Sequence, residues 1–156
     1  MLTIAIESPL SSDGLALLAG SDAALAEVFA PEENFTLDPA QLAVPAIRFF
    51  VGRSGGVPVG CVALMHCGDF GEVKRLFVAP AGRGLGVARA LMAALETDAK
   101  AQGLAQVLLE TSDRLQPAVT LYASLGYQVR GRFGDYEDHP ASLFMGKALG
   151  PAVGAA

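Results

Sequence analysis

A glycine-rich segment separates an apolar strand from an amphipathic helix in the second half of the chain. It reads Arg83-Gly84-Leu85-Gly86-Val87-Ala88. The first N–H groups of a helix have no partner within it, and the helix dipole adds partial positive charge there. Such a turn suits a pyrophosphate, because Gly84 and Gly86 let the main chain approach closely and Arg83 adds charge-assisted contacts. The alternative is a glycine-rich connector that binds nothing.

Two common phosphate-binding patterns do not occur in this sequence. No GxxxxGK[ST] run is present, and Gly82, Gly84 and Gly86 alternate instead of following the GxGxxG spacing. A P-loop nucleotide site and a Rossmann dinucleotide site are therefore both excluded.

Two motifs resemble those of the GNAT superfamily of acetyltransferases, in particular its small bacterial single-domain members. Residues 83–88 match the pattern R/Q-x-x-G-x-G/A, and strand residues 73–80 end in the family's usual proline. Residues 118–127, AVTLYASLGY, resemble the family's ALYxxLGF/Y helix end. The resemblance covers about residues 46–148 and implies one GNAT domain over residues 1–149, with a frayed tail at 150–156.

The resemblance implies an N-acetyltransferase that uses acetyl-CoA as its acyl donor. Pantetheine is expected between strands 71–78 and 106–111, and the pyrophosphate on the amides that follow Arg83. Gln116 replaces the family's usual Asn, so its contact with pantetheine is left open. The predicted cofactor-binding residues are Phe77, Val78, Arg83, Gly84, Leu85, Gly86, Val87, Ala88 and Gln116.

Three residues are candidates for proton transfer. Tyr122 resembles the family's general acid, and a phenol with a pKa of about 10 can donate at neutral pH; the alternative is packing in the core. Glu110, at the end of a buried strand, is the first candidate for the base, and Glu72 on the neighbouring strand is the second. The alternative to a role as base, for each carboxylate, is to bind the substrate ammonium or to pair with Lys74 or Arg75.

The acceptor site is less well defined. We expect Arg75 to clamp a substrate carboxylate, and the other candidates for this role are Arg48, Arg114, Arg130 and Arg132. The alternative for each is a solvated surface charge. The loop residues Asp135 and Tyr136 are expected to line the acceptor pocket or a dimer contact. Strict alternation along the strand places Glu72, Lys74, Leu76 and Val78 on one face and Arg75 on the other.

The expected acceptor is a primary amine of a small molecule, with an amino-acid-like compound as one option. Two other functions stay open. One is acetylation of protein lysines or N-termini, and the other is a non-catalytic acetyl-CoA-binding regulatory role.

Composition limits the class of protein. The 156 residues carry a formal net charge of −5, which predicts no nucleic-acid partner. No signal peptide or membrane span is apparent, so we expect a cytoplasmic protein and, by the resemblance, a homodimer. Cys61 and Cys67 are expected on one strand as buried free thiols, and no metal site is predicted.

Periodicity predicts the element order β, αα, βββ, α, β, α, ββ. Helices are expected after Ser11 and Asp38, from Val87 to a stop at Gly103, and from Pro117 with Gln116 as its cap. The fold class is therefore α/β (α+β), a GNAT-like mixed central sheet of six to seven strands flanked by about four helices.

Overall fold

A computed structural model describes residues 1–34 and 36–150. The strands β1 to β7 are Leu2–Ile6, Ile47–Ser54, Val57–His66, Phe70–Val78, Gln106–Thr111, Gln128–Arg130 and Leu143–Ala148. The helices α1 to α4 are Ser12–Ala26, Pro39–Leu42, Val87–Ala101 and Gln116–Ser124. Short 3-10 turns cover Pro31–Glu33 and Pro80–Gly82. The predicted element order is confirmed.

All seven strands form one mixed sheet in the order β1-β2-β3-β4-β5-β7-β6. Strands β4 and β5 pair in parallel, whereas the other neighbours pair antiparallel. Helix α3 makes the crossover that a parallel pair requires. The predicted GNAT-like sheet with about four helices is confirmed.

Both faces of the sheet are covered by helices. Leu91 and Leu95 of α3 are fully buried in the larger core cluster, which also holds Tyr122 of α4. Leu18 of α1 and Leu42 of α2 are buried in a second cluster. Because full burial of each leucine side chain is worth about 1.5–3 kcal/mol, these contacts hold the helices to the sheet.

Local signals fix most helix ends. The Ser11 hydroxyl accepts a hydrogen bond from the Gly14 amide at 3.0 Å and caps α1, and Gly103 follows α3 with φ of 80°. The prediction of Gln116 as a cap is wrong. Helix α4 begins at Gln116 itself, and Leu115 holds the cap position.

A β-bulge in β4 changes which side chains share a face. Arg75 has a left-handed φ of 58° where the register between β3 and β4 shifts. Glu72 and Lys74 share one face and form an ion pair, but Leu76 and Val78 pack against the core cluster on the other face. The prediction from strict alternation is therefore wrong beyond the bulge, because the extra residue inverts the pattern.

The two thiols differ in position. Cys61 is buried in β3, and burial raises the pKa of its thiol to about 12, whereas Cys67 lies beyond the end of β3 and is only partly buried. The prediction that both are buried on one strand is wrong for Cys67. Within residues 1–34 and 36–150, no group of three or more His, Cys, Asp or Glu side chains is placed to hold a metal ion.

No helix among the described residues is both long and apolar enough to cross a membrane. The tail predicted at residues 150–156 lies outside the described residues, apart from Gly150.

Candidate active site

A cavity of about 290 Å³ opens where β4 and β5 separate. Their parallel pairing ends at Val73 and Leu109, while β4 continues along β3 as far as Val78. The bulge at Arg75 lies just past the last pair and turns β4 away from β5. The edge of β4 that faces β5 is therefore not used by the sheet beyond Val73, and its main-chain groups are available to a ligand.

The glycine-rich loop begins five residues after the end of β4 and continues into the first residues of α3. Gly84 and Gly86 have φ of 79° and 75°, which an L side chain rarely adopts. The first hydrogen bond of α3 runs from the Ala90 amide to the Gly86 carbonyl at 3.0 Å. The amides that precede Ala90 therefore have no partner within the helix, as expected at a helix start. This is the local geometry that the sequence predicts.

The loop also has room for an anion. A Cβ placed on Gly84 or Gly86 would meet nothing within 4 Å, so the outer side of the turn is open. Gly82 is different, because its Cβ would lie 2.8 Å from the Val59 carbonyl oxygen. The loop is thus held against β3 on one side and open on the other. The Leu85 amide donates to the Gly82 carbonyl at 3.3 Å. The remaining amides at the start of α3, the helix dipole and the open side of the turn together fit a pyrophosphate group.

The other predicted cofactor residues lie around this turn. Arg83 and Leu85 are exposed, and Phe77 packs against α1 and lines the cavity. Gln116 is exposed at the start of α4, where its amide nitrogen donates to the Asp113 carbonyl at 2.5 Å. In this structure, the side-chain amide of Gln116 is therefore occupied within its own turn.

Tyr122 lies at the wall of the cavity formed by α4. Its side chain is 6% exposed and contacts the Tyr127 ring edge-on at 5.7 Å between centroids. Burial raises the pKa of its phenol above the ordinary value. The hydroxyl has no hydrogen-bond partner among the described residues. A protonated phenol at a cavity wall is suited to donate a proton.

Glu110 lies at the end of β5 and also lines the cavity. It accepts a hydrogen bond from the Ser142 hydroxyl at 2.8 Å. Burial raises the pKa of Glu110, while the Ser142 hydrogen bond and the nearby Lys74 ammonium oppose that rise. A carboxyl group with a raised pKa is a better proton acceptor than an exposed carboxylate.

Glu72 lies behind the cavity wall in a compact network. Its carboxylate is 2.8 Å from the Lys74 ammonium and accepts a hydrogen bond from the Tyr136 hydroxyl at 2.5 Å. Lys74 in turn donates to the Tyr136 oxygen at 2.6 Å. Lys74 and Tyr136 line the cavity, but Glu72 does not. The sequence leaves three roles open for Glu72, which are to act as the base, to bind the substrate ammonium and to pair with a cation. In this structure, Glu72 is paired with Lys74.

Arg75 ties α1 to the sheet. Its guanidinium lies 2.7 Å from the Asp22 carboxylate and donates to the Leu18 carbonyl at 3.0 Å, with the side chain only 2% exposed. Lys74 is paired with Ala63, whose side chain also packs beneath α1. The bulge therefore places Arg75 on the same face as Lys74, and the prediction of opposite faces is wrong.

The structure separates the two loop residues predicted to contact substrate. Tyr136 packs edge-on against Phe133 and Phe144 at 5.3 Å and 5.5 Å between centroids and lines the cavity. Asp135 is exposed and is not part of the cavity wall.

Sequence reasoning missed Ser142 and the pairing of Arg114 with Glu33 at the rim of the cavity. Ser142 reaches Glu110 because β7 pairs antiparallel with β5, a register with no local signal in the sequence. At the rim, Arg114 makes two contacts with the Glu33 carboxylate, at 2.9 Å and 3.0 Å, and its guanidinium lies 5.4 Å from the centroid of the Phe29 ring. This pair joins the segment after α1 to the loop after β5.

Comparison with known proteins places this chain in a family. The sequence model described as the Acetyltransferase (GNAT) family matches residues 19–127. The chain belongs to the GNAT acetyltransferase family. This GNAT protein is 43% identical over 150 residues to the IAA acetyltransferase of Azospirillum brasilense. The aligned region covers 95% of this chain and 98% of that relative.

Solved GNAT structures share the fold. A protein of Klebsiella pneumoniae assigned as an acyl-CoA N-acyltransferase has a TM-score of 0.80 at 34% identity, covering 96% of this chain and 98% of that one. The PaiA N-acetyltransferase of Thermoplasma acidophilum, in complex with coenzyme A, has a TM-score of 0.76 at 16% identity. The match covers 95% of this chain and 99% of that one. The GNAT protein described here is an acyltransferase that uses acetyl-CoA.

Proposed function

We propose that this GNAT enzyme transfers the acetyl group of acetyl-CoA to the primary amine of a small molecule. The observation that carries the proposal is the position of Glu110, a cavity-lining carboxyl group hydrogen-bonded to Ser142. The nearby Lys74 and His139 interact with it electrostatically. A carboxylate in this position attracts an ammonium group and accepts the proton that the amine must lose before it attacks.

The proposed reaction forms a nitrogen–carbon bond and breaks the carbon–sulfur bond of the thioester. Glu110 takes one proton from the acceptor ammonium, directly or through one water molecule, and the nitrogen releases its second proton to solvent once the new bond has formed. The main-chain N–H of Val78 donates to the acetyl oxygen as negative charge develops there. Tyr122 gives its proton to the departing sulfur and regains one from solvent. The amides of residues 84–88 and the Arg83 guanidinium hold the pyrophosphate.

Steady-state turnover with acetyl-CoA and a panel of small primary amines tests this function. Release of the free thiol reports transfer. The Tyr122→Phe variant removes the proton donor but keeps the ring against Tyr127. We expect its kcat to fall at least about tenfold, while the Kd for acetyl-CoA stays within about twofold because Tyr122 is distant in sequence from the loop that holds the pyrophosphate. A near-normal kcat removes Tyr122 as the acid.

The panel also separates the alternative functions. It includes IAA, after the name of the Azospirillum brasilense relative, and short peptides with free N-termini. Transfer to peptides but not to small amines favours a protein acetyltransferase, and transfer to IAA alone contradicts an amine acceptor. Tight acetyl-CoA binding without transfer to any acceptor favours the regulatory role.

Three further expectations stay predictions. They are a single domain over residues 1–149, a homodimer and a cytoplasmic location. Light scattering on the purified protein measures the oligomeric state directly.

A further inference from the structure

We propose that the acceptor is a monoamine with an apolar body and without a carboxylate beside its amino group. This inference rests on the proposed function and names the class of amine. It follows from the charges and surfaces of the cavity at the separation of β4 and β5.

Every cation near the cavity already has an anionic partner within the protein. Lys74 lies 2.8 Å from the Glu72 carboxylate. Arg75 lies 2.7 Å from Asp22 and is almost fully buried. A substrate carboxylate would have to compete with these partners. Separating Lys74 from Glu72 is costly, because both side chains are largely buried and an uncompensated charge would be left behind.

The cation at the rim is paired in the same way. Arg114 makes two short contacts, 2.9 Å and 3.0 Å, with the two oxygens of Glu33. This two-point geometry is the one that an arginine would otherwise offer to a substrate carboxylate. Arg75 keeps one donor, its buried Nε, without a hydrogen-bond partner among the described residues. Lys74, Arg75 and Arg114 are nevertheless each paired with a protein carboxylate, with which a substrate carboxylate would have to compete.

Glu110 provides the opposite feature. Its neighbour within hydrogen-bond distance is the neutral Ser142 hydroxyl, at 2.8 Å. When Glu110 is ionised, it places a negative charge at the cavity, which the nearby Lys74 and His139 offset in part. A single ammonium complements that charge, whereas a carboxylate one carbon away from the ammonium would lie close to Glu110 and be repelled.

The wall beside α1 is largely apolar. It is formed by Ala24, Leu25 and Phe29, and Tyr136 adds an aromatic surface. The polar groups of Ser21 and Thr36 along this wall are uncharged, and the Glu33 carboxylate is paired with Arg114. A cavity of about 290 Å³ with such walls suits the apolar body of a small amine.

Matched acceptor pairs test the inference. Phenethylamine and L-phenylalanine differ by the carboxylate alone, as do benzylamine and phenylglycine. With the wild-type chain and saturating acetyl-CoA, we expect kcat/KM for each amine to exceed that of its amino acid by at least about tenfold. Equal or better use of the amino acids overturns the inference while leaving N-acetylation intact. If acetyl-CoA binds but no amine is acetylated, the proposed function fails and the inference with it.

The Glu72→Gln variant tests the physical cause. It keeps the size of the side chain and leaves the Lys74 ammonium without its partner. We expect the preference for phenethylamine over L-phenylalanine to fall by at least about threefold, because Lys74 can then attract the carboxylate. This preference is the ratio of the two kcat/KM values, so an effect of the variant on the chemical step, which both acceptors share, does not change it.

The double variant Glu72→Gln/Lys74→Gln serves as the matched control. It removes both charges, so we expect the wild-type preference to return. An unchanged preference in Glu72→Gln, with acetyl-CoA affinity and circular dichroism as in the wild type, contradicts the role of charge pairing. A preference that stays low in the double variant contradicts it as well.

Discussion

The loop at residues 83–88 and the polar cluster around Glu110 are assembled in different ways. The loop is contiguous in sequence, and its shape depends on the left-handed conformations of Gly84 and Gly86. The cluster joins groups that are far apart in the chain. Tyr136 lies 62 residues from its partner Lys74, and Ser142 lies 32 residues from Glu110.

This difference separates two kinds of recognition. The loop offers main-chain amides, whose number and direction hardly depend on the neighbouring side chains. The cluster offers titratable side chains, whose charge depends on partners from other elements. One region thus suits a donor shared by a whole family, and the other suits an acceptor that differs between its members.

The largest effect is expected from the Gly86→Asp variant. It places a carboxylate at the open side of the turn, where the pyrophosphate is expected. Because aspartate tolerates a positive φ better than most residues, electrostatic repulsion is the main consequence. We expect the Kd for acetyl-CoA in calorimetry to rise at least about 100-fold.

Two controls separate charge from conformation. Gly86→Asn has almost the same shape without the charge, and we expect a clearly smaller loss of affinity. Gly56→Asp introduces the same residue at a φ of 85° in an exposed hairpin turn, where we expect no change in Kd. Unaltered affinity in Gly86→Asp would place the pyrophosphate elsewhere.

Features encoded over a few residues could be predicted from the sequence. The cap at Ser11, the stop at Gly103 and the turn at Gly84 and Gly86 depend on the chain within one helical turn. The order of strands and helices followed from such signals together with the apolar periodicity. The family resemblance then predicted the mixed sheet, which is confirmed, and an acetyl-CoA site at the loop, which stays a prediction.

Features that depend on pairing between distant strands could not be predicted in the same way. The bulge at Arg75 changes the face of every later side chain in β4, and nothing in the sequence around Arg75 marks it. The hydrogen bond from Ser142 to Glu110 requires the register of β7 on β5. The pair formed by Glu33 and Arg114 joins two loops 81 residues apart.

A smaller effect, and one that depends on pH, is expected from the Glu110→Gln variant. The pKa of Glu110 is raised above 4.5, mainly by burial. Below that pKa, the group is protonated and cannot act as a base, so wild-type kcat/KM should rise with pH through it. Glutamine has no such titration, and the acidic limb should disappear. We expect the greatest loss, at least about tenfold, above this limb and below the amine pKa of about 10.

The Ser142→Ala variant sharpens this test. The Ser142 hydroxyl lowers the pKa of Glu110 by donating to its carboxylate. Its removal should raise that pKa, so the acidic limb should move to higher pH while the plateau stays near the wild-type value. An acidic limb that persists in Glu110→Gln assigns the base to another group.

The smallest effect is expected from the Tyr136→Phe variant, which tests the cluster without changing its charge. The ring keeps its contacts with Phe133 and Phe144, but the hydrogen bonds to Glu72 and Lys74 are lost. We expect the KM for the amine to rise about three- to tenfold, as for hydrogen bonds worth about 1 kcal/mol. The Kd for acetyl-CoA should stay unchanged, because the amides of the loop do not depend on Tyr136. A change in acetyl-CoA affinity with an unaltered amine KM would show that the two regions are coupled.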